Sequence, residues 1–167
     1  FWASGACLVV RRDAYWDAGG LDEDYFAHQE EIDLCWRLQL NDGKIYSIPE
    51  SVVYHVGGAT LHKSSPQKTY YNFRNSLYTL YKNLSKKELF PIVFARLCLD
   101  GLAGIRFIFQ LKLMHCFAII RAHYAFFAEI SNLKKKRKLI VQTPIKRLDS
   151  TIVKLYFIKG IKRYDQL

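Results

Sequence analysis

The charged residues of this chain fall into two segments of opposite sign, and that division limits how the chain can fold. Residues 1 to 60 hold 4 Lys/Arg and 10 Asp/Glu, a net charge of −6, whereas residues 61 to 167 hold 21 Lys/Arg and 5 Asp/Glu, a net charge of +16. An even spread of the total charge of +10 would indicate a polyanionic partner, but a segregated charge indicates two regions with different surroundings. We therefore predict an acidic unit over residues 1–66 and a helical, basic unit over residues 67–167.

The cysteines and the first residues limit which class of protein this can be. Cys7, Cys35, Cys98 and Cys116 stand singly in apolar runs. They form neither the close pairs of a zinc site nor the dense set of a disulfide scaffold, which favours buried free thiols in a reducing compartment. The chain begins Phe-Trp-Ala-Ser-Gly, without an initiating Met or a signal-type apolar core. We expect it to be part of a larger protein whose N-terminal part is missing.

Short apolar runs in the first segment predict a mixed α/β pattern. The runs at 6–12, 44–48 and 51–55 are typical of short strands, because they alternate or are bounded by turn residues. Between the first two runs, a capping residue and a glycine pair predict a brief helix over residues 14–18.

A second predicted helix begins with three carboxylates in four positions, Glu30, Glu31 and Asp33. The helix macrodipole favours negative charge at this end, so capping and general-base catalysis are equally open for Glu30 and Glu31. Adjacent helical residues point about 100° apart, so these two glutamates cannot perform the same task. Asp33 lies four residues before Arg37, the spacing of a helical ion pair.

The second segment predicts amphipathic helices. Residues 69–84 place aromatic and aliphatic side chains on one stripe, with Asn72, Arg74 and Asn75 interleaved. This polar triad can bind an anionic group, and arginine suits a diphosphate. The alternative is the solvated face of an amphipathic helix.

Residues 88–130 form a long apolar stretch that predicts two helices. Charged residues interrupt it, and no uncharged run reaches the roughly 18 residues that a spanning helix needs. A hairpin at a membrane interface or packed on a partner is therefore favoured. The basic run 134–138 and the basic amphipathic tail 145–161 suit an anionic membrane surface. The run lacks interleaved aromatic residues, so no nucleic-acid partner is expected.

His55 ends the third predicted strand, directly before Val56-Gly57-Gly58. Glycines allow a ligand to approach the backbone, and a neutral imidazole with carboxylates can complete a Mg²⁺ or Mn²⁺ site. His55 is therefore a candidate metal ligand, with a structural histidine as the alternative. The partner carboxylates must come from residues 22–24 or from sequence outside this chain.

Five blocks of the sequence resemble the C-terminal half of the catalytic domain of a bacterial family 2 glycosyltransferase, which has the GT-A fold. They follow the family's order and spacing over residues 1–84 and are Trp2–Ala6, Gly20–Phe26, Glu30–Arg37, Pro49–Gly58 and Tyr71–Asn75. The resemblance implies an α/β fold, the C-terminal half of a nucleotide-diphospho-sugar transferase domain, followed by a mostly α-helical basic tail.

The resemblance also implies roles for particular residues. Glu31 maps onto the catalytic base and Glu30 onto the residue before it, although the family more often has Asp at the position of Glu31. His55 matches a histidine that resembles a ligand of the divalent cation. The predicted substrate-binding residues are Gly5, Ala6, Trp2 and Arg74.

The implied activity is inverting transfer of a hexosyl group from a nucleotide-diphosphate sugar to a glycan or lipid-linked acceptor in polysaccharide synthesis. The family's nucleotide-binding units and its Asp-x-Asp metal motif lie upstream of the matched part, so we expect the chain to be inactive alone. The enzyme is expected in the cytoplasm, at the inner face of the cell membrane. The alternatives are a non-enzymatic basic module that binds a membrane or a polyanion, and a metal-dependent hydrolase built on His55.

Overall fold

A computed structural model describes residues 2–56, 65–140 and 160. The described helices are α1 (Arg12–Asp17), a 3₁₀ turn (Glu23–Tyr25), α2 (Glu30–Leu40), α3 (Pro66–Asn83), α4 (Lys86–Phe109), α5 (Leu113–Ala128) and α6 (Ile130–Lys138). No strand occurs in these residues.

The predicted α/β fold, half of a GT-A domain, is wrong for the part of the chain that the structure describes. The runs 6–12, 44–48 and 51–55 contain no strand, and the first of them leads into α1 at its last residue. Tyr54 is 96% exposed and Val9 is 93% exposed, so neither side chain packs against a sheet or a helix. A strand is stable only when neighbouring strands take up its backbone hydrogen bonds, and the described residues provide no such neighbour.

The helical predictions are confirmed. The brief helix before residue 19 forms as α1 and stops at Gly19 and Gly20, which adopt φ of 81° and 65°. The apolar stretch forms the α4–α5 hairpin. Helix α3 begins at Pro66, three residues before the predicted stripe, because the side chain of Ser65 accepts a hydrogen bond from the backbone N–H of Gln67 and Pro66 occupies the first turn.

Helix α3 is the centre of the fold and contacts α2, α4, α5 and α6. One core cluster, which joins the N-terminal segment to the helices, contains Tyr25, Leu77, Tyr78, Phe126 and Leu133. Burial of an aliphatic or aromatic side chain of this size contributes about 1.5–3 kcal/mol. A second cluster contains Trp36, Leu40 and Leu84 and fixes α2 on the end of α3.

Helices α4 and α5 approach each other closely. A Cβ atom added at Gly104 would lie 3.7 Å from the Sγ atom of Cys116, so the glycine allows the two helices to meet. No single described helix is long and apolar enough to cross a membrane. Helices α5 and α6 meet these two criteria only when taken together, and the chain bends by 57° between them. The basic tail predicted at 145–161 lies outside the described residues, apart from residue 160.

Candidate functional site

The chain enters α2 through a turn with unusual backbone geometry. Phe26, His28 and Gln29 have φ of 62°, 70° and 70°, in the left-handed region that residues other than glycine rarely occupy. Such conformations persist only when surrounding contacts determine them, and they concentrate at functional sites. Contacts with other parts of the chain therefore have to hold this turn in place.

Polar residues of α3 hold this turn. The side-chain amide of Asn75 donates hydrogen bonds to the backbone oxygens of Tyr25, Ala27 and His28, at 3.1, 2.8 and 2.7 Å. The side chain of Gln29 donates to the backbone oxygen of Asn72 at 3.1 Å. The turn before α2 is thus fixed by residues almost fifty positions further along the chain.

Arg74, also on α3, contacts the chain just before this turn. Its Nη2 atom donates to the backbone oxygen of Asp24 at 2.7 Å. Its guanidinium lies 5.0–5.3 Å from the ring centroids of three tyrosines, Tyr70, Tyr71 and Tyr78. These cation–π contacts and the hydrogen bond hold the loop before α2. Direct contact between Arg74 and a substrate stays a prediction.

The two glutamates that begin α2 carry buried oxygens. The Oε2 atoms of Glu30 and Glu31 are inaccessible to solvent and have no hydrogen-bond partner among the described residues, and the same holds for Nε2 of His28. Nearly all buried polar atoms in folded proteins are hydrogen-bonded, and catalytic groups are among the recognised exceptions. The start of α2 is therefore the strongest candidate for a site in the described chain.

The N-terminal loop lies against this end of α2. A Cβ atom at Gly5 would be 3.6 Å from the carboxyl carbon of Glu31, so the backbone of residue 5 directly adjoins that side chain. One turn further along α2, Cys35 accepts a hydrogen bond from the backbone N–H of Ala3, with the two atoms 3.5 Å apart, and burial raises the pKa of its thiol. The structure therefore brings Gly5 and Glu31 together.

The other predicted substrate-binding residues of the loop are exposed. Trp2 is 52% exposed, and Ala6 is also exposed to solvent. They lie in the same loop as Gly5, on the solvent side of the start of α2. Their contact with a substrate stays a prediction.

His55 is exposed, in an irregular segment, and the two glycines after it lie outside the described residues. The described residues contain no group of three or more His, Cys, Asp or Glu placed to hold a metal ion. These residues alone do not fit a Mg²⁺ or Mn²⁺ site. The divalent cation stays a prediction, with His55 as its candidate ligand.

Behind α2 lies a buried ionic network centred on Asp33. This carboxylate has no exposed surface and accepts hydrogen bonds from Nε of Arg37 at 2.9 Å and from Nδ2 of Asn83 at 2.7 Å. The Nζ atom of Lys82 lies 2.9 Å from the same carboxylate. The predicted pairing of Asp33 with Arg37 is confirmed. Arg37 also donates to the backbone oxygen of Gly20 at 2.7 Å, which ties the end of α1 to α2.

The acidic loop before α2 is held by two lysines that the sequence did not identify. Nζ of Lys82 lies 2.6 Å from Asp22, and Nζ of Lys136 lies 2.5 Å from Asp22 and 2.6 Å from Asp24. Burial alone would raise the pKa of Asp22, but the two ammonium groups outweigh it and hold that pKa at about 2. Burial would likewise lower the pKa of Lys136, but its hydrogen bonds to the aspartates raise it. No pattern in the basic run 134–138 distinguishes Lys136 from its neighbours.

Comparison with known proteins finds partial similarity to rhamnosyltransferases. Over 54 residues, 32% of the chain, the sequence is 43% identical to N-acetylglucosaminyl-diphospho-decaprenol L-rhamnosyltransferase of Mycobacterium tuberculosis, of which this stretch covers 18%. Over 88 residues, 53% of the chain, it is 27% identical to rhamnosyltransferase WbbL of Escherichia coli, of which it covers 32%. No protein-family model and no solved structure matches the chain.

The chain thus spans about a fifth to about a third of the length of the curated relatives that it matches. The resemblance to glycosyltransferases is confirmed at this coarse level, as a similarity of part of the chain. Membership of family 2 stays a prediction.

Proposed function

We propose that the chain is part of an inverting glycosyltransferase of the family 2 type, acting in glycan synthesis. The observation that carries the proposal is the start of α2, where Glu31 has a buried oxygen without a partner beside the backbone of Gly5. The partial similarity to two rhamnosyltransferases supports the same class of reaction.

In this proposal Glu31 is the general base. A hydroxyl oxygen of the acceptor attacks the anomeric carbon of the donor sugar, the bond to the nucleoside diphosphate breaks, and the hydroxyl proton passes to the carboxylate of Glu31. Attack from the side opposite the leaving group inverts the configuration at that carbon. Because Gly5 has no side chain, it leaves space beside the carboxylate. Glu30 points about 100° away around the helix and supports the site without taking the proton.

The donor in this proposal is a nucleotide-diphosphate sugar of the hexose type. The mycobacterial relative is named for a diphospho-decaprenol, a lipid diphosphate, which favours a lipid-linked or glycan acceptor. A divalent cation would offset the charge of the leaving diphosphate, but the described residues form no cluster that could hold one. A lipid-linked acceptor also favours a location at the inner face of the cell membrane.

The chain alone should not turn over, because it matches only part of each relative. The experiment therefore uses the protein together with its upstream sequence and measures release of nucleoside diphosphate from a panel of sugar nucleotides. Glu31→Gln should lower turnover by a factor of about 10²–10⁴ while nucleotide binding is retained. Glu50→Gln removes an exposed carboxylate from the irregular segment after α2 and is the matched control, expected to have normal turnover. Normal turnover in Glu31→Gln would refute the assignment.

A further inference from the structure

Helix α4 exposes a stripe of large apolar side chains. Its members follow one another at intervals of three or four residues, and the exposed Cys98 is one of them. The large side chains of the stripe are each at least half exposed: Phe90, Phe94, Leu102, Ile105 and Phe109. This spacing places them on one side of the helix. Asp100 and Gly104, on the same helix, are buried instead. The apolar stripe is therefore the outer side of α4.

Helix α5 has a matching stripe, spaced by three or four residues and more than half exposed: Leu113, Phe117, Ile120, Tyr124 and Phe127. The side that packs inwards contains Ala118, Ile119, Ala122 and Phe126. Helices α4 and α5 contact each other, and Phe90, Phe94 and Phe127 line one open apolar pocket between them. We call the two stripes together the hairpin face. The hairpin face exposes ten large apolar side chains, and large exposed apolar surfaces mark interaction sites.

Between residues 89 and 128, the exposed charges along the hairpin all have one sign. Between residues 89 and 128 the only carboxylate is Asp100. It is buried and pairs with Nε of Arg96 at 2.6 Å and with Nε2 of His123 at 3.0 Å. Arg106 and Lys112, on either side of the turn between the helices, are exposed. The exposed charges at the turn and along the two helices are therefore cationic, and the exposed Glu129 follows the end of α5 away from the turn.

We propose that the hairpin face docks onto an anionic lipid bilayer, with the turn from Phe109 to Leu113 entering the lipid first. Phe109 and Leu111 are 85% and 87% exposed, the highest values among the large apolar side chains of the hairpin. The apolar side chains suit the acyl region, and the cations at the turn suit anionic headgroups. In this arrangement both helices lie along the interface, with their apolar stripes towards the lipid.

A second copy of the chain is a poorer occupant of the same surface. Pairing two hairpin faces would bring the cations of one copy towards those of the other, and like charges across an interface are unfavourable. An anionic bilayer instead complements both the apolar surface and its charge. This inference names the surface behind the proposed membrane location and does not depend on the proposed sugar transfer.

The experiment measures binding of the full chain to phosphatidylcholine vesicles with and without phosphatidylglycerol. We expect binding to the anionic vesicles that weakens with added salt. Replacing both Phe109 and Leu111 by serine should weaken binding at least about tenfold, since it removes the side chains that enter the lipid. Replacing Arg106 and Lys112 by glutamine should weaken it about fivefold per charge.

Matched control variants test whether binding depends on the hairpin face and not on exposed apolar or cationic side chains in general. Replacing Val9 and Tyr54 by serine removes apolar side chains that are equally exposed but lie outside the face, so vesicle binding should not change. Lys44→Gln removes an exposed cation in the N-terminal segment and should also have little effect. Circular dichroism checks that each variant keeps its helices.

Three results would overturn the inference. They are absence of binding to anionic vesicles, unchanged binding when Phe109 and Leu111 are replaced, and a dimer in solution that the same replacement dissociates. Sugar transfer to a detergent-solubilised acceptor tests the proposed function separately. A failure of vesicle binding with normal transfer would refute the docking surface and leave the enzyme assignment intact.

Discussion

Replacing Asp33 by alanine should severely destabilise the protein, because it leaves two cations without their shared carboxylate in the interior. Asp33 has no exposed surface, and the side chains of Arg37 and Lys82 are 8% and 2% exposed. Removal of Asp33 also deprives Nδ2 of Asn83 of an acceptor at 2.7 Å. Water cannot replace these contacts without opening the packing between α2 and α3.

The expected loss of stability in Asp33→Ala depends on the contacts that Arg37 and Lys82 retain. Removing one partner of a buried ion pair costs about 3–5 kcal/mol. Lys82 retains Asp22 at 2.6 Å, and Arg37 retains a hydrogen bond to the backbone oxygen of Gly20. We therefore expect the lower end, about 3 kcal/mol, for Asp33→Ala. Asparagine has nearly the same size as aspartate and keeps one acceptor oxygen, but it has no charge. Asp33→Asn should therefore lower the free energy of unfolding by less than Asp33→Ala.

Urea unfolding at neutral pH, followed by circular dichroism, measures this free energy. A loss of about 3 kcal/mol is a large fraction of the 5–15 kcal/mol typical of a folded domain. Asp13→Ala is the control, because Asp13 and Arg11 form an ion pair at 2.6 Å that is exposed on both sides, and its loss should not be measurable. A loss below about 1 kcal/mol for Asp33→Ala would refute the argument that the network is buried and charged.

Two further predictions concern the loop and the candidate site. Because the pKa of Asp22 is lowered from 3.8 to about 2, the folded state binds fewer protons than the unfolded state. About 2 kcal/mol of stability should be present above pH 4 and disappear as the pH falls through about 2, a trend that urea midpoints measure and that Asp22→Asn should abolish. Gly5→Ala should keep turnover, since its Cβ would meet Glu31 at an ordinary 3.6 Å, whereas Gly5→Leu should lower turnover without changing the melting temperature. Full turnover in Gly5→Leu would contradict the proposed space beside Glu31.

The sequence predicted those parts of the fold that depend on local signals. Helix α2 begins at Glu30, as the three carboxylates at its start indicate. The ion pair between Asp33 and Arg37 follows from helical spacing alone. The α4–α5 hairpin follows from an apolar stretch too long for one helix of ordinary length.

Strands could not be predicted in the same way. The alternation in 44–48 and 51–55 is compatible with a strand, but a strand also requires a pairing partner that alternation does not specify. In the described chain no neighbour pairs with these segments, and their large side chains remain exposed. The resemblance to a GT-A domain added a fold expectation that the structure contradicts.

The contacts that shape the candidate site are non-local, which is why the sequence did not show them. Arg74 and Asn75 match both an anion-binding pair and a solvated helix face, yet in the structure they hold the turn before α2. Gly5 and Glu31 were both predicted as site residues from the resemblance, and the structure places them in contact. Only the folded chain shows that the polar face of α3 supports this turn.

The opposite charges of the two segments therefore act first within the protein. Asp22, Asp24 and Asp33 belong to the acidic segment, and Lys82 and Lys136 belong to the basic one. Their ion pairs fix the loop that leads into α2, so the position of Glu31 depends on cations more than fifty residues away. Because the pairs of Lys82 are buried and those of Lys136 are partly buried, salt should screen them less than the exposed cations beside the hairpin face. A salt concentration that releases the chain from anionic vesicles should thus leave the candidate site folded, and circular dichroism at that concentration can show it.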